Sequence, residues 1–454
     1  MNNEFDFETK NGWTHYADAA SQEQMDALAT RYMDFLSHAK TERETVDLVV
    51  EALKGAGFSE YFTKDLVFRT YRGKAVFVAR KGKKPLASGV RLISAHTDAP
   101  RLDFKQRPLQ EQVGIAQAKT HYYGGIRKYQ WATIPLAMHG VVILKDGTSM
   151  DICIGEKEGD PVFCVTDLLP HLAAQQNERK LKDGIKGEEL NIIVGSLPYP
   201  CEEEDSIKEP VKLLALSILN ERFGMTEKDF LRAEIEFVPA VKATDVGLDR
   251  SLVGAYGQDD KVCAYTALTA EMKAKSPEYT TVTILADKEE IGSVGNTGLN
   301  SDFTLHYIEG LCKAGNVDVR KVLKHSLCLS ADVNAAYDPT FASVFEEKNS
   351  CYLNKGVVLT KYTGARGKSG SNDASAETMA KVIQIMDEAG VYWQIGELGA
   401  VDVGGGGTVA LFVAGMDVDV VDMGVPILSM HAPFELASKL DIYNTYLAFA
   451  AFCS

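Results

Sequence analysis

The sequence has little of what marks membrane, secreted or disulfide-stabilised proteins. No apolar run approaches the roughly 20 residues that span a bilayer. The opening, Met1 to Asp6, has acidic residues and lacks the basic-then-apolar pattern of a signal peptide. Its eight cysteines include no Cys-x-x-Cys pair, which argues against a cysteine-ligated zinc site. These absences predict a cytoplasmic protein with reduced thiols.

Positive charge is also scarce, with 48 Lys and Arg residues against 63 Asp and Glu residues and a net charge of −15. This excess of negative charge disfavours nucleic acid or an anionic membrane as the main partner. An apolar content of 45% over 454 residues is enough for a large core. The length predicts two or three domain-sized units, or one large α/β domain with an insertion.

Secondary-structure patterns divide the chain into α/β flanks and a different middle. A helical region is predicted from about Ser21 to Phe58, with a capping box at Thr41–Glu44. Between about residues 101 and 235, short strand patterns alternate with Gly, Asp-Gly and Pro turns. The acidic run Glu202–Asp205 is predicted to be an exposed loop. We therefore expect an α/β domain formed by residues 1–100 and 236–454, interrupted by a β-rich insertion at residues 101–235.

Polar residues follow the apolar strands of the α/β flanks repeatedly. His96 ends the run Arg91–Ala95, and Asp98 comes two residues later. The others are Asp259, Asp260, Glu289, Glu290, Asp332 and His431. Open α/β sheets place their functional sites at the carboxyl ends of strands. Two histidines with several carboxylates there are typical of a two-metal hydrolase.

Several of these residues also have a purely structural interpretation. His96 could be a core histidine, and Asp98 could cap a turn instead of orienting the imidazole of a metal ligand. One of Asp259 and Asp260 could be a helix N-cap. Alternatively, one of the two could bridge two cations about 3.5–4 Å apart. The sequence alone leaves these alternatives open.

The pair Glu289-Glu290 is the most informative segment. Adjacent side chains at a strand end face different ways, so one carboxylate can bind a metal while the other acts as general base. A solvated acidic turn is the alternative, and the apolar strand before the pair weakens it. His and carboxylate ligands favour zinc, with manganese or cobalt as alternatives. Gly404–Gly407 lacks the flanking pattern of a phosphate loop, so we interpret it as a tight turn lining the site.

Taken together, the motifs resemble those of the aspartyl aminopeptidases, metallopeptidase family eighteen, within the clan of binuclear zinc exopeptidases. The matching segments, in chain order, are His96–Pro100, Gly257–Asp260, Asp287–Ser293, Ser330–Asp332 and Ser429–His431. The resemblance covers most of the chain, including the insertion. It implies a three-layer α/β/α catalytic domain of zinc-exopeptidase type and an inserted β-rich dimerisation domain.

Carried over to this sequence, the family pattern implies two metal ions. One would be held by His96, Asp259 and Asp332. The second would be held by Asp259, Glu290 and His431, with Asp259 bridging. Glu289 would be the general base and Asp98 would orient His96. These assignments predict an aminopeptidase that removes single N-terminal residues from short peptides.

The resemblance also implies a homo-oligomer, a dodecamer built from dimers that form through the insertion. In this arrangement His139, at the end of Ile134–His139, would enter a neighbouring subunit's site and help to stabilise the transition state. The residues alone would make His139 an ordinary strand histidine.

Substrate preference is less well defined. Lys361 and Arg366 fall where acid-preferring members carry basic residues near the substrate side chain, which would favour N-terminal Asp or Glu. The flanking Gly367–Asn372 segment resembles the bacterial branch, for which a broader preference is the alternative. A solvated basic loop is the structural alternative for both residues.

Two other functions are compatible with parts of the pattern. A deacylase or carboxypeptidase of the same clan would use similar ligands but would need a site for a substrate carboxylate. A catalytically silent scaffold could assemble through the insertion. The intact ligand set and Glu289 argue against the scaffold.

Overall fold

The computed structural model describes Phe5 and residues 7–201 and 207–454. The predicted loop Glu202–Asp205, and all of Met1–Asp6 except Phe5, lie outside the described residues. The chain forms two compact units. The first contains Met1–Ala99, Lys242–Met430 and Glu435–Ser454, and the second contains Pro100–Val241 and His431–Phe434.

The strands follow one another along the chain in this order: β1 Leu66–Tyr71, β2 Ala75–Arg80, β3 Val90–His96, β4 Arg101–Gln112, β5 Ile115–Tyr123, β6 Leu136–Ile143, β7 Ser149–Ile154, β8 Cys164–Val165, β9 Ile192–Gly195, β10 Ala233–Pro239, β11 Thr244–Val246, β12 Leu252–Ala255, β13 Thr280–Ala286, β14 Leu327–Ser330, β15 Asn334–Ala335, β16 Val357–Thr360, β17 Trp393–Ile395, β18 Asp419–Gly424, β19 Pro426–Leu428 and β20 Glu435–Ser438.

The α-helices are α1 Ala19–His38, α2 Glu42–Gly55, α3 Ala174–Asn177, α4 Pro210–Phe223, α5 Gln258–Lys273, α6 Phe303–Gly315, α7 Val319–Lys324, α8 Ala376–Glu388, α9 Ala410–Ala414 and α10 Lys439–Phe452. The predicted helical region from Ser21 to Phe58 is thus two helices. The predicted capping box at Thr41 and Glu44 begins the second of them.

The main sheet of the first unit has the strand order β1-β2-β13-β3-β14-β18-β16-β17. Its centre, β13-β3-β14-β18, is parallel. Parallel strands buried on both faces are rich in apolar residues, and every residue of β13 is buried. A smaller sheet of the same unit has the order β11-β12-β20-β19-β15.

Helices cover both faces of the main sheet, because alternate residues of each strand face opposite ways. Ile93 and Ala95 of β3 belong to the core that α1, α2, α5, α8 and α10 share. Val90 and Leu92 belong to the core on the other face, with α6, α7 and α9. The first unit is therefore a three-layer α/β/α sandwich, and the predicted mixed α/β fold is confirmed.

The second unit is built on an antiparallel sheet with the order β7-β6-β10-β4-β5-β9-β8. Helix α4 packs near β4, β5 and β9. Pro210 opens this helix, and Gly224 follows it in the left-handed conformation with φ of 69°. Within the described residues, no helix combines the length and apolar character needed to cross a bilayer.

Candidate active site

The central parallel strands bring the predicted ligands to one edge of the main sheet. Ala286, the last residue of β13, pairs with His96, the last residue of β3. Ser330, the last residue of β14, pairs with Ser94. The segments after β13 and β14 carry Glu289 and Asp332, so their side chains meet beside His96.

His96 is buried and surrounded by carboxylates. Its Nε2 lies 3.2 Å from Asp259 Oδ1, 3.8 Å from Asp332 Oδ1 and 3.9 Å from Glu289 Oε2. Burial alone would lower the pKa of this imidazole. The carboxylates of Asp259, Asp332 and Asp98 outweigh burial and raise the pKa well above its ordinary value.

Asp98 contacts both His96 and the backbone that carries the glutamates. Its Oδ1 lies 3.3 Å from His96 Nδ1, and its backbone carbonyl oxygen lies 3.1 Å from the same nitrogen. Its two carboxylate oxygens also accept hydrogen bonds from the amides of Glu289, at 3.1 Å, and Glu290, at 3.2 Å. One side chain therefore fixes the imidazole and the start of the glutamate turn together.

Glu289 and Glu290 lie in a 3₁₀ turn, Glu289–Ile291, directly after β13 and the left-handed residue Lys288. Burial, reinforced by the charges of Asp332 and Asp259, raises the pKa of Glu289 to about 8. Ligand atoms of Glu290 and Asp259 lie within 4.8 Å of each other. The two adjacent carboxylates thus face different neighbours.

Asp259 precedes the regular turns of α5: Asp259 and Asp260 both have non-helical dihedral angles, and Gly257 before them is left-handed. The backbone amide of Asp259 donates to Glu435 Oε2 at 3.2 Å, and Glu435 is buried. Sequence reasoning missed Glu435 as a partner of Asp259. A glutamate at the start of a buried strand, four residues after His431, was the available signal.

His431 has a defined tautomer. Its Nδ1 lies 2.8 Å from the carbonyl oxygen of Gly125, and both residues belong to the second unit. A carbonyl can only accept, so Nδ1 carries the proton. Nε2 therefore keeps its lone pair, as a metal-binding imidazole requires. A Cβ at Gly125 would lie 3.3 Å from this Nδ1, so a larger residue would crowd the ring.

His139 lies on β6 of the second unit's sheet, between the edge strand β7 and β10. Its side chain is buried, and its Nε2 lies 3.1 Å from Glu156 Oε1. In the single chain the imidazole is thus directed at a carboxylate of its own unit.

Lys361 and Arg366 belong to an exposed loop after β16. The ammonium of Lys361 lies 2.6 Å from Asp373, which Lys368 also contacts, at 3.0 Å. Within the described residues Arg366 has no ion-pair partner, and it lines a small cavity with Tyr362. The loop packs on the glycine run: a Cβ at Gly405 would lie 2.4 Å from the carbonyl oxygen of Gly364.

Comparison with known proteins identifies the family. A family model described as "Aminopeptidase I zinc metalloprotease (M18)" matches residues 35–453. The chain is 47% identical to a "Probable M18 family aminopeptidase 1" of Clostridium acetobutylicum, covering 100% of this chain and 99% of that protein. The chain belongs to the M18 peptidase family. A Thermotoga maritima member is 47% identical over 97% of this chain and 98% of its own length.

Solved structures of M18 proteins share the fold. The crystal structure of the Thermotoga maritima M18 aminopeptidase matches with a TM-score of 0.94 and 45% identity, covering 99% of this chain and 100% of that one. Aminopeptidase I of Clostridium acetobutylicum matches with a TM-score of 0.93 and 44% identity, with the same coverage. As an M18 member, this protein is a metal-dependent aminopeptidase and therefore a hydrolase. This membership argues against the scaffold alternative and against the deacylase or carboxypeptidase alternative.

The donor set suits the zinc of this family. Imidazole and carboxylate groups are ligands that zinc accepts, and manganese and cobalt accept them as well. His96, Asp259 and Asp332 place ligand atoms within 4.8 Å of one another. Burial is the main cause that raises the pKa of both Asp332 and Asp260, and the charges of neighbouring carboxylates add to it. Bound cations would relieve this repulsion.

Proposed function

We propose that this M18 aminopeptidase hydrolyses the N-terminal residue of short peptides at a two-metal site. His96, Asp259 and Asp332 would hold one cation, and Asp259, Glu290 and His431 the other. Two such cations polarise the scissile carbonyl and lower the pKa of a water molecule. The observation that carries the proposal is the meeting of two potential ligands, Asp259 and Asp332, beside His96 Nε2, with Glu289 only 3.9 Å away.

Glu289 would act as the general base. A base is most effective when its pKa lies near the working pH, and burial raises the pKa of this carboxyl to about 8 in the metal-free chain. The positive charge of bound metal would bring the pKa down from there. Glu289 would take a proton from the attacking water and pass it to the departing amine.

Asp98 and His139 would support this step. Asp98 would keep the Nδ1–H of His96 oriented so that Nε2 faces the metal. His139 would help to stabilise the oxyanion in a neighbouring subunit. In the single chain its ring is directed at Glu156, so this role requires assembly, and it rests on the family resemblance.

The preference for the N-terminal residue of the substrate would be determined near Lys361 and Arg366. Because Asp373 already neutralises much of the charge of Lys361, Arg366 is the more available cation for an acidic side chain. We propose a preference that extends beyond Asp and Glu to uncharged residues, with Arg366 contributing to acidic substrates.

We further propose a cytoplasmic homo-oligomer, a dodecamer built from dimers that form through the second unit. The open edges of its sheet, at β7 and β8, would need covering. His139→Phe should then impair only the assembled enzyme. A wild-type monomer as active as the oligomer would contradict the role of His139 in the neighbouring site.

A panel of acidic and aliphatic aminoacyl-p-nitroanilides tests the function. The metal-free protein should be inactive, and added zinc, manganese or cobalt should restore cleavage. Release from Leu or Met substrates would support the broad preference, and release from Asp and Glu alone would contradict it. If none of the substrates were cleaved with any of the three metals, the proposal would be overturned.

A further inference from the structure

The two glutamates lie on one closed segment, Asp287–Gly298, which we call the glutamate loop. Its opening turn is tight: Lys288 and Gly292 are both left-handed, with φ of 68° and 91°. Backbone hydrogen bonds hold this turn together, from the amide of Ser293 to the carbonyl of Lys288 and from the amide of Gly292 to the carbonyl of Glu289, both at 2.7 Å. The turn is thus a unit, and its position depends on what closes the loop.

The loop is closed at its base by one pair of residues. The hydroxyl of Thr297 donates to Asp287 Oδ2 at 2.6 Å, and the amide of Asp287 donates to the carbonyl of Thr297 at 3.3 Å. Both side chains are buried, at 1% and 2% exposure. A buried hydrogen bond to a carboxylate is stronger than one between neutral groups. This pair, the Asp287–Thr297 clasp, joins the two ends of the loop.

The interior of the loop is packed against the clasp. The ammonium of Lys288 lies 3.3 Å from Asp287 Oδ2, and its stem crosses Gly295, where a Cβ would be 3.0 Å from Lys288 Cδ. A Cβ at Gly298 would lie 2.2 Å from the carbonyl oxygen of Ser293. The loop is therefore closely packed along one path, and a shift of its base on loss of the clasp would move the glutamates with it.

Asp98 holds the opposite side of the same loop through the amides of Glu289 and Glu290. The carboxylates of the glutamates thus lie between two anchors. Asp98 also contacts His96, so its loss would disturb the metal ligands directly. Thr297 has its hydrogen bond to Asp287 instead, and it offers a way to disturb the loop alone.

We propose that Thr297 is a positioning residue for catalysis: through the Asp287–Thr297 clasp it keeps Glu289 and Glu290 in their working positions. This inference rests on the proposed roles of the two glutamates. A displacement of about 1 Å at a reacting group can lower a rate by up to about 100-fold. Displacement of the glutamate loop should therefore lower kcat more than it raises KM.

The chain contains a matched control at the other end of β13. The hydroxyl of Thr281 donates to the buried carboxylate of Glu271 at 2.9 Å. Thr281→Val removes the same type of bond, a buried threonine hydroxyl donating to a carboxylate, six residues before Asp287 or about 20 Å along an extended strand. It should cost stability as Thr297→Val does, without moving the loop.

The experiment compares Thr297→Val, Thr297→Ser and Thr281→Val in the zinc-loaded enzyme. The measurements are kcat and KM, the zinc bound per chain, and hydrogen–deuterium exchange of peptides covering residues 287–300. We expect Thr297→Val to lower kcat about tenfold, to leave KM within about twofold and to speed exchange in that segment. It should also weaken zinc binding at the second site. Thr297→Ser should restore all of these values, and Thr281→Val should lower only the melting temperature.

Wild-type kcat and exchange in Thr297→Val would overturn the inference. So would an equal loss of kcat in Thr281→Val, since that would show a general effect of stability. If Glu289→Gln stayed active, the proposed function would fail instead. The exchange measurement would still report whether the clasp closes the loop.

Discussion

Buried carboxylates have opposite electrostatic surroundings at the two ends of strand β13. At its start, Glu271 is held by the hydroxyls of Thr281 and Thr283, at 2.9 and 3.4 Å, with Arg80 at 3.7 Å. Beyond its end, several carboxylates converge on one imidazole, that of His96. The same strand thus has a compensated charge at one end and an excess of negative charge at the other.

The difference separates a structural ionisable group from a functional one. Burial raises the pKa of Glu271 to about 7, and its hydroxyl and guanidinium partners limit the rise. Around His96, neighbouring carboxylates add to the effect of burial on the pKa of Glu289 and Asp332. Buried like charges are stable only with a counter-charge, and the metal ions proposed here would supply it. The following predictions test this contrast.

Substituting one glutamate at each end should give the largest difference. Glu289→Gln should lower kcat by about 1,000-fold, because it would remove the proposed general base, and it should leave the bound metal content unchanged. Glu271→Gln should leave kcat unchanged. Steady-state kinetics with metal analysis check both variants. Comparable activity of the two would remove the functional distinction between the ends.

Asp98→Asn should have the next largest effect. The amide side chain keeps one acceptor oxygen but places an NH₂ group either against the Glu290 amide or against the Glu289 amide and the His96 ring. Loss of such an outer contact to a ligand costs about 10- to 100-fold in activity or metal affinity. Kinetics and zinc titration measure it. A variant with normal zinc affinity and turnover would show that the contacts of Asp98 are structural only.

Stability should depend on pH differently with and without metal. In the metal-free protein the pKa of Glu289 is raised from 4.5 to about 8. The folded state therefore binds more protons than the unfolded state between these values, and its stability falls as pH rises through the window. The melting temperature of the metal-free form should decrease from pH 5 to 8. Metal binding, which favours deprotonated ligands, should counter this decrease. A metal-free melting temperature that rises over the same range would contradict the account.

At the Glu271 end of β13, the expected effect of pH on stability is smaller and does not depend on metal. The pKa of Glu271 is raised from 4.5 to about 7. The wild type should therefore lose up to about 3 kcal/mol of unfolding free energy as pH rises through that window. Glu271→Gln should lack this part of the pH dependence. Urea unfolding at pH 5 and 8 measures it, and identical profiles for variant and wild type would disprove the assignment.

Much of the site could be predicted because parallel strands align their ends. The apolar runs before His96 and before the Glu289 and Asp332 segments identify three strands, and neighbouring parallel strands end at the same edge of a sheet. The capping box at Thr41 could also be predicted from the sequence, because its pattern is local.

The remaining contacts depend on tertiary structure. The sequence does not show that Asp98 accepts from the amides of Glu289 and Glu290, because the pairing spans about 190 residues. The contact between Glu435 and Asp259 is hidden for the same reason. Helix α4 was missed in the insertion for a different reason: Pro210 and Gly224 mark its ends, but the turn-rich segments around it suggested strands.

The most direct test of the central claim is the number of zinc ions bound per chain in wild type, Asp259→Asn, Asp332→Asn and Glu290→Gln, measured after dialysis by elemental analysis. If the carboxylates around His96 form two sites joined by Asp259, the wild type binds two ions. Asp332→Asn and Glu290→Gln should each lose one, and Asp259→Asn should lose both. An Asp259→Asn protein that retains two tightly bound ions would contradict the account.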